Sequence, residues 1–170
     1  QHLDVKAELG APVFDLAAVP FVLPDGSVTS STEHELKLGS VTLNAGILSM
    51  GNPHAVIVVD NCAATPVAKI GPMIQALDVF PDSVNVGFME IKSRDAIALR
   101  VFERGVGETL ACGSGACAAV VHGIKLGLLS PEVTVDLPGG KLVVSWTGGK
   151  DAVWLSGPAE TVFQGKLNLR

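Results

Sequence analysis

The sequence predicts an α+β domain in which a curled, barrel-like and mainly antiparallel β-sheet wraps around one buried central helix. Two observations lead to this prediction. Many short segments rich in β-branched residues alternate with turn-forming residues, and one helical segment is almost entirely small or apolar around its circumference. The 170 residues are 48% hydrophobic and 17% charged. This composition is typical of a folded domain and excludes a disordered chain.

Seven segments have the composition of strands, namely residues 41–48, 55–59, 84–91, 96–102, 133–137, 142–146 and 153–155. Turn residues separate them at Pro138-Gly139-Gly140 and at Ser156-Gly157-Pro158. The triplet Ser93-Arg94-Asp95 is short enough to close a hairpin between its flanking strands. These short spacings favour antiparallel pairing over strand–helix–strand units with parallel neighbours.

Two segments have helical character. Thr65 precedes Pro66 as a capping residue, which predicts a helix with proline at its first position and an end near Asp78. The second helix is predicted from Gly113 to about residue 126, with Gly127 as its stop signal. Because this second helix has no polar face, we expect it to lie inside the protein.

Charge and cysteine content limit the classes of function. The net charge is −5, and the 12 Lys and Arg residues form no basic run, so a nucleic-acid partner is not expected. The longest apolar runs, residues 55–59 and 116–121, are too short to cross a membrane. Three cysteines, an odd number, argue against a disulfide framework and for a reducing compartment such as the cytoplasm. A small-molecule substrate fits these properties best.

The richest chemistry lies where a glycine-rich loop, Cys112 and the start of the buried helix follow one another. A cysteine at a helix N-terminus has its thiolate stabilised by the helix dipole and by free backbone N–H groups. Gly113, Ser114 and Gly115 are small, so a ligand carboxylate can approach the same N–H groups. The segment therefore predicts a base beside a carboxylate cradle, which proton abstraction at the α-carbon of an amino acid requires.

Other readings of the cysteines and their neighbours are weaker. Cys62 and Cys117 lack such a setting and are interpreted as structural. A metal site formed by Cys112, Cys117 and His122 fails because a step of five residues on a helix separates neighbours by roughly 140°. A serine nucleophile elbow requires Gly-x-Ser-x-Gly, whereas Cys112 occupies the first glycine position before Ser114.

A dinucleotide-binding domain is the alternative closest to the sequence. Residues 113–118 fit the pattern Gly-x-Gly-x-x-Ala, and Asp136 follows about twenty residues later. That motif must come directly after a strand, however, and the nearest predicted strand ends at Phe102. Gly105 and Gly107 interrupt the interval, so this reading stays an alternative only.

Four short motifs in one order resemble the diaminopimelate epimerase family. They are Gly51-Asn52-Pro53-His54, Val84-Asn85-Val86, Glu103-Arg104-Gly105 and the stretch Gly107-Glu108-Thr109-Leu110-Ala111-Cys112-Gly113-Ser114-Gly115-Ala116-Cys117-Ala118. The resemblance implies a diaminopimelate-epimerase-like fold. It also implies interconversion of LL- and meso-diaminopimelate for lysine and peptidoglycan precursor synthesis, without pyridoxal phosphate or a metal, in an enzyme that is a homodimer at full length.

The same resemblance assigns roles at the reacting centre. Cys112 is similar to one of two opposed cysteines that act as thiolate base and thiol acid. Gly113 and Ser114 would bind the carboxylate at that centre through backbone N–H groups. Glu103 resembles the carboxylate that holds the substrate amino group and tunes the thiol, and His54 resembles the imidazole paired with the other cysteine.

Three further residues correspond to the grip on the distal, unreactive end of the substrate. They are Asn52, Asn85 and Arg104, and their chemistry suits a ligand that is charged at both ends.

One signature of the family, the first cysteine motif, does not occur in this sequence. The expectation is that residues 13–157 form the second of the two similar halves of the enzyme. Residues 1–12 and 158–170 would be strands that belong to the first half. On this view the chain alone is inactive. A non-catalytic binding module derived from the epimerase is the alternative from another class of function.

Overall fold

The computed structural model describes residues 3–23 and 31–168. In chain order the strands are β1 Leu3–Glu8, β2 His34–Leu38, β3 Val41–Ser49, β4 Pro53–Val58, β5 Asn85–Ser93, β6 Ala96–Glu103, β7 Gly107–Thr109, β8 Glu132–Leu137, β9 Gly140–Ser145 and β10 Trp154–Ala159. The helices are α1 Val67–Gln75, which precedes β5, and α2 Gly113–Lys125, which precedes β8.

The ten strands form one mixed sheet in the order β1-β10-β9-β8-β6-β5-β4-β3-β2, with β7 added beside β6. Most neighbours are antiparallel, as predicted. Helix α2 contacts strands near both ends of this order, including β3 and β10, so the sheet curves around the helix. Within the described residues the sheet is not closed, because β1 and β2 each pair on one side only. The predicted α+β class with a curled sheet is therefore confirmed, and the sheet is open.

Helix α2 is the centre of the main core. Residues 115–123 are all buried, and the apolar core around them is built from β6, β8 and β9. Small residues allow the sheet to approach closely. The ring of His122 lies against Gly46 of β3, where an added Cβ would meet ring atoms at 2.1–2.4 Å. The prediction of an enclosed helix is thus confirmed.

A second apolar core lies where α1 packs against β5, β6 and β2. It contains Phe21, Leu36, Ile74, Phe80 and Phe88. Because α1 and α2 both contact β5, the first half of that strand is buried without alternation. Within the described residues, neither helix is long and apolar enough to cross a membrane.

Two parallel pairings contradict the preference for antiparallel neighbours. Strand β4 pairs in parallel with β5 across α1, and β6 pairs in parallel with β8 across α2. Each helix therefore forms a strand–helix–strand crossover. The crossovers were missed because the sequence spacing of strands does not reveal which of them become neighbours in the sheet.

Three local predictions also need correction. Pro66 is the N-cap of α1 and not its first helical residue, and the Thr65 hydroxyl donates to the carbonyl of Asn61 instead of capping the helix. The helix ends at Gln75, short of Asp78. The predicted turn Ser156-Gly157-Pro158 is part of β10, which pairs with β1 along Leu3–Glu8.

Candidate active site

Three of the predicted site residues, His54, Asn85 and Glu103, occupy one row across the end of the sheet. His54 on β4 is the register partner of Asn85 on β5. Val86 then pairs with Phe102, which brings Asn85 beside Glu103 at the end of β6. Register alone therefore gathers side chains that are up to 49 residues apart in sequence.

Asn85 ties two loops of the site together. Its side chain is buried; its Nδ2 donates to the carbonyl of Pro53 at 2.9 Å, and its Oδ1 accepts from the backbone N–H of Arg104 at 2.9 Å. The Arg104 guanidinium in turn donates to the carbonyl of Asp82 at 3.0 Å. Asparagine is uncommon within strands. Here Asn85 holds Pro53 and Arg104 in position, which the sequence prediction did not include.

Asn52 and His54 form a second bonded pair. Nε2 of His54 lies 3.0 Å from Oδ1 of Asn52, and because that oxygen only accepts, the imidazole nitrogen donates. His54 is 1% exposed, and burial, aided by the positive charge of Arg104, lowers its pKa to about 4. The imidazole is therefore neutral near pH 7, and its Nδ1 is left as an acceptor.

Cys112 lies directly before the first residue of α2, as predicted. It is the N-cap residue, with an extended backbone and a carbonyl that accepts the first helical bond from Ala116 at 2.9 Å. No side chain caps this end of the helix. Sγ of Cys112 lies 3.7 Å from the hydroxyl of Ser114, and the residue retains 6% exposure beside the half-buried Gly113 and Ser114.

The ionisation of Cys112 departs from the prediction. Burial raises the pKa of this thiol, while the N–H of Gly115 and the hydroxyl of Ser114 lower it in part. The Glu103 carboxylate raises the pKa further, by its charge and as a hydrogen-bond partner. The expected stabilisation of the thiolate by the helix start is present but outweighed, so Cys112 is held as a thiol.

The other two cysteines have structural surroundings. Cys62 is 3% exposed; its Sγ donates to the carbonyl of Phe88 at 3.3 Å, and burial raises the pKa of its thiol. Cys117 is fully buried in the core around α2, and burial raises its pKa to about 12. Both findings agree with the structural interpretation of these residues.

Thr109 contacts a predicted site residue, and sequence reasoning did not single it out. Its hydroxyl donates to Oε1 of Glu103 at 2.5 Å. Strand β7, on which Thr109 lies, was not predicted because three residues beginning with glycine give no strand signal. The available signal was the short loop after Glu103, which returns the chain alongside β6.

Other parts of the molecule do not compete with this row. A cavity of about 510 Å³ between β2 and the end of α1, lined by Leu23, Leu36, Leu77 and Val79 among others, contains none of the predicted site residues. Across residues 3–23 and 31–168, no three His, Cys, Asp or Glu side chains are grouped so that they could hold a metal ion. Asp136, the acidic residue of the dinucleotide alternative, forms an ion pair with Lys141.

Solved structures of two other proteins share this fold. A hydroxyproline epimerase from Agrobacterium vitis, with bound trans-4-OH-L-proline, matches 91% of the chain and 49% of its own length at a TM-score of 0.64 and 14% identity. A probable proline racemase from Agrobacterium radiobacter K84 matches 95% of the chain and 54% of its own length at a TM-score of 0.60 and 13% identity. The fold is that of amino-acid epimerases and racemases.

Sequence comparison identifies the family. The profile described as "Diaminopimelate epimerase" matches residues 46–162. A diaminopimelate epimerase from Ralstonia nicotianae is 52% identical over 168 residues, and one from Alkalilimnicola ehrlichii is 49% identical over 165 residues. The chain belongs to the diaminopimelate epimerase family. Each alignment covers 97% of this chain and 58% of the relative, so the chain spans little more than half the length of these proteins.

Proposed function

We propose that this chain supplies one of the two acid/base thiols of a cofactor-independent diaminopimelate epimerase. The observation that carries the proposal is the position of Cys112: a thiol at the uncapped N-terminus of α2 that retains 6% exposure and lies 3.7 Å from the Ser114 hydroxyl. The Glu103 carboxylate is near enough to act on its pKa. The relatives are named for diaminopimelate, and we propose that the enzyme interconverts its LL and meso forms.

The reaction inverts one α-carbon by moving a proton between its two faces. A thiolate on one face removes the α-proton, which leaves a carbanion that delocalises into the carboxylate. A thiol on the opposite face then donates its proton to the carbon, so the two sulfurs exchange protonation states in each turnover. One base alone would return the proton to the face that it left, and for this reason two opposed groups are required.

Cys112 is the best placed of the three cysteines for this role. Because its pKa is raised, the resting Cys112 is suited to act as the thiol acid, and after it has donated it is the thiolate base of the reverse direction. The N–H groups of Gly113 and Ser114 would hold the carboxylate and stabilise the negative charge that develops there. The Glu103 carboxylate would bind the substrate ammonium beside the thiol.

The distal end of the substrate carries a second ammonium and a second carboxylate. We assign its recognition to Asn52 and to the guanidinium of Arg104. Asn85 supports both by fixing Pro53 and the backbone of Arg104. His54 is proposed as a neutral imidazole that assists the opposite thiol, in agreement with its low pKa.

The second thiol is proposed to come from a preceding half of the enzyme, and the complete enzyme to be a cytoplasmic homodimer. Residues 1–12 and 158–170 would pack against that half; residues 1, 2, 169 and 170 lie outside the described part. Three apolar side chains that are 83–90% exposed, Val162, Phe163 and Leu167, support such packing. Neither Cys62 nor Cys117 is proposed as this second thiol, because the side chains of both are buried in structural surroundings.

The test compares this chain with a fusion in which the N-terminal portion of the Ralstonia nicotianae relative precedes it. Both proteins are incubated with LL-diaminopimelate in deuterium oxide, and formation of the meso isomer is followed by chromatography. The chain alone is expected to form none, and the fusion to form it rapidly. Cys112→Ala should abolish the activity of the fusion, whereas the matched control Cys62→Ala should retain it.

Two results would contradict the proposal. Turnover by the chain alone would show that the second thiol is not required, and an active Cys112→Ala fusion would remove Cys112 from the reaction. A folded but inactive fusion that still binds diaminopimelate would favour the alternative of a non-catalytic binding module.

A further inference from the structure

We propose that Thr109 is a positioning residue whose hydroxyl holds the Glu103 carboxylate against the Cys112 thiol. The inference rests on the proposed function and adds one residue to the proposed site. Thr109 lies within the cysteine motif, but the resemblance assigns no role to it. Its basis is the hydrogen bond from Oγ1 of Thr109 to Oε1 of Glu103.

The geometry of β6 and β7 produces this bond. The chain turns back directly after Glu103 through Gly105 and Gly107, which have φ values of +75° and +102° that favour glycine. Strand β7 then pairs antiparallel with β6, with Glu103 opposite Gly107 and Val101 opposite Thr109. Alternate residues of a strand share a face, so Thr109 lies diagonally across from Glu103 on the same face.

The opposite face of β7 is anchored independently. Glu108, the neighbour of Thr109, accepts from Nε of Arg100 at 2.6 Å. The same guanidinium donates to the carbonyls of Cys62 and Thr65, which fixes it to the loop before α1. Because β7 is held from this side, the Thr109 hydroxyl is a fixed donor for Glu103.

The geometry of the bond suits a carboxylate that must keep one orientation beside a thiol. A hydroxyl donates one proton, and at 2.5 Å that proton goes to Oε1 of Glu103; the other acceptor near Oγ1, the carbonyl of Ala111, is at 3.5 Å. The bond uses one oxygen of Glu103 and sets the direction of the other.

The groups that act on the Cys112 thiol are few. They are the N–H of Gly115 and the hydroxyl of Ser114 from the start of α2, and the Glu103 carboxylate from β6. Cys117, further along α2, is neutral at all relevant pH values. Glu103 is thus the charged group through which Thr109 can influence the thiol.

The experiment uses the whole 170-residue chain and needs no turnover. The rate at which iodoacetamide alkylates Cys112 is measured from pH 6 to 11 by peptide mass spectrometry, with Cys62 and Cys117 as internal references. Thr109→Val removes the hydroxyl at nearly constant shape, and Thr109→Ser retains it. We expect the valine variant to release Glu103 toward solvent and to lower the pKa of Cys112 by about one unit.

That shift has a measurable rate. A decrease of about one unit increases the thiolate fraction about tenfold below the pKa, and the lower nucleophilicity of a more acidic thiol reduces the gain to about threefold. Thr109→Ser should react like the unchanged chain. Glu103→Gln should reproduce the valine effect, and adding Thr109→Val to Glu103→Gln should change nothing further. Thr109→Ala serves if the valine variant does not fold.

The outcomes separate the two proposals. If Glu103→Gln shifts the pKa of Cys112 but folded Thr109→Val and Thr109→Ala do not, the role of Thr109 is refuted while the site stands. The same conclusion follows if Thr109→Val acts equally in the Glu103→Gln background. If Glu103→Gln has no effect, Glu103 does not act on Cys112, and the role of Thr109 falls with it. The proposed epimerase reaction is judged separately by the turnover of the fusion.

Discussion

The contact between Gly46 and His122 determines how closely α2 can approach the sheet, and a side chain added at Gly46 should destabilise the protein. Gly46 lies on β3, and its backbone faces the buried ring of His122 on α2. A methyl group added at Gly46 would lie 2.1 Å from Nδ1 and 2.4 Å from two ring carbons. Ordinary contacts are about 3.4–4 Å, so strand and helix would have to separate by more than an ångström.

The expected loss follows from two opposing effects. Overpacking a filled core costs about 1–3 kcal/mol, and this overlap with a rigid ring belongs near the upper end of that range. Replacing glycine also restricts the unfolded chain, which stabilises the folded state by about 0.4–1 kcal/mol. Gly46→Ala should therefore destabilise the protein by about 2 kcal/mol, or about 4–8 °C in melting temperature for a chain of this size.

Gly87→Ala is the matched control, because it is also a buried strand glycine. Its added methyl group would meet Leu99 at 3.5 Å and Val56 at 3.9 Å, which are ordinary contacts. Its stability in urea or thermal unfolding followed by circular dichroism should be unchanged or slightly higher. In a His122→Ala background, Gly46→Ala should cost almost nothing. A Gly46→Ala protein as stable as the unchanged chain, or additive effects of the two substitutions, would refute the reasoning.

Two further predictions concern buried polar groups. Burial lowers the pKa of both His54 and His122 to about 4. As the pH falls, the histidines of the unfolded chain are therefore protonated at a higher pH than those of the folded chain. Stability should therefore hold above pH 6.5 and fall toward pH 4 by about 1.4 kcal/mol per pH unit for each histidine. Urea titrations should show the slope reduced by about 1.4 kcal/mol per pH unit in His122→Gln, and a flat profile of the unchanged chain would contradict these assignments. Asn85→Ala should lower the free energy of unfolding by about 1–3 kcal/mol, because it leaves the carbonyl of Pro53 and the N–H of Arg104 without these hydrogen-bond partners. Asn85→Asp keeps an acceptor for Arg104 but sets a buried carboxylate against the carbonyl oxygen of Pro53, so it should lose at least as much. Equal stability of all three proteins would exclude the bridging role.

Much of the fold could be predicted because local patterns determine it. An almost entirely apolar surface made α2 an enclosed helix, and the short triplet Ser93-Arg94-Asp95 revealed the hairpin of β5 and β6. Strand β2 was missed because it has only five residues with a charged residue at every second position. The parallel partners of β5 and β8 depend on contacts across a whole helix, which no local pattern encodes.

The site was predicted less completely than the fold. The glycine-rich approach to Cys112 indicated a helix start, and the structure confirms that position. The raised pKa of the thiol was not predictable, because it depends on burial and on the place of Glu103 after folding. The bonds of Asn85 to Pro53 and of Thr109 to Glu103 likewise follow from strand register.

The central claim is that the sulfur of Cys112 faces the reacting carbon of diaminopimelate. The most direct measurement is a crystal structure of the fusion protein with diaminopimelate bound. We predict that Sγ of Cys112 lies about 3–3.5 Å from one α-carbon, with the adjacent carboxylate on the N–H groups of Gly113 and Ser114. A bound ligand whose two α-carbons both lie beyond reach of that sulfur would contradict the claim.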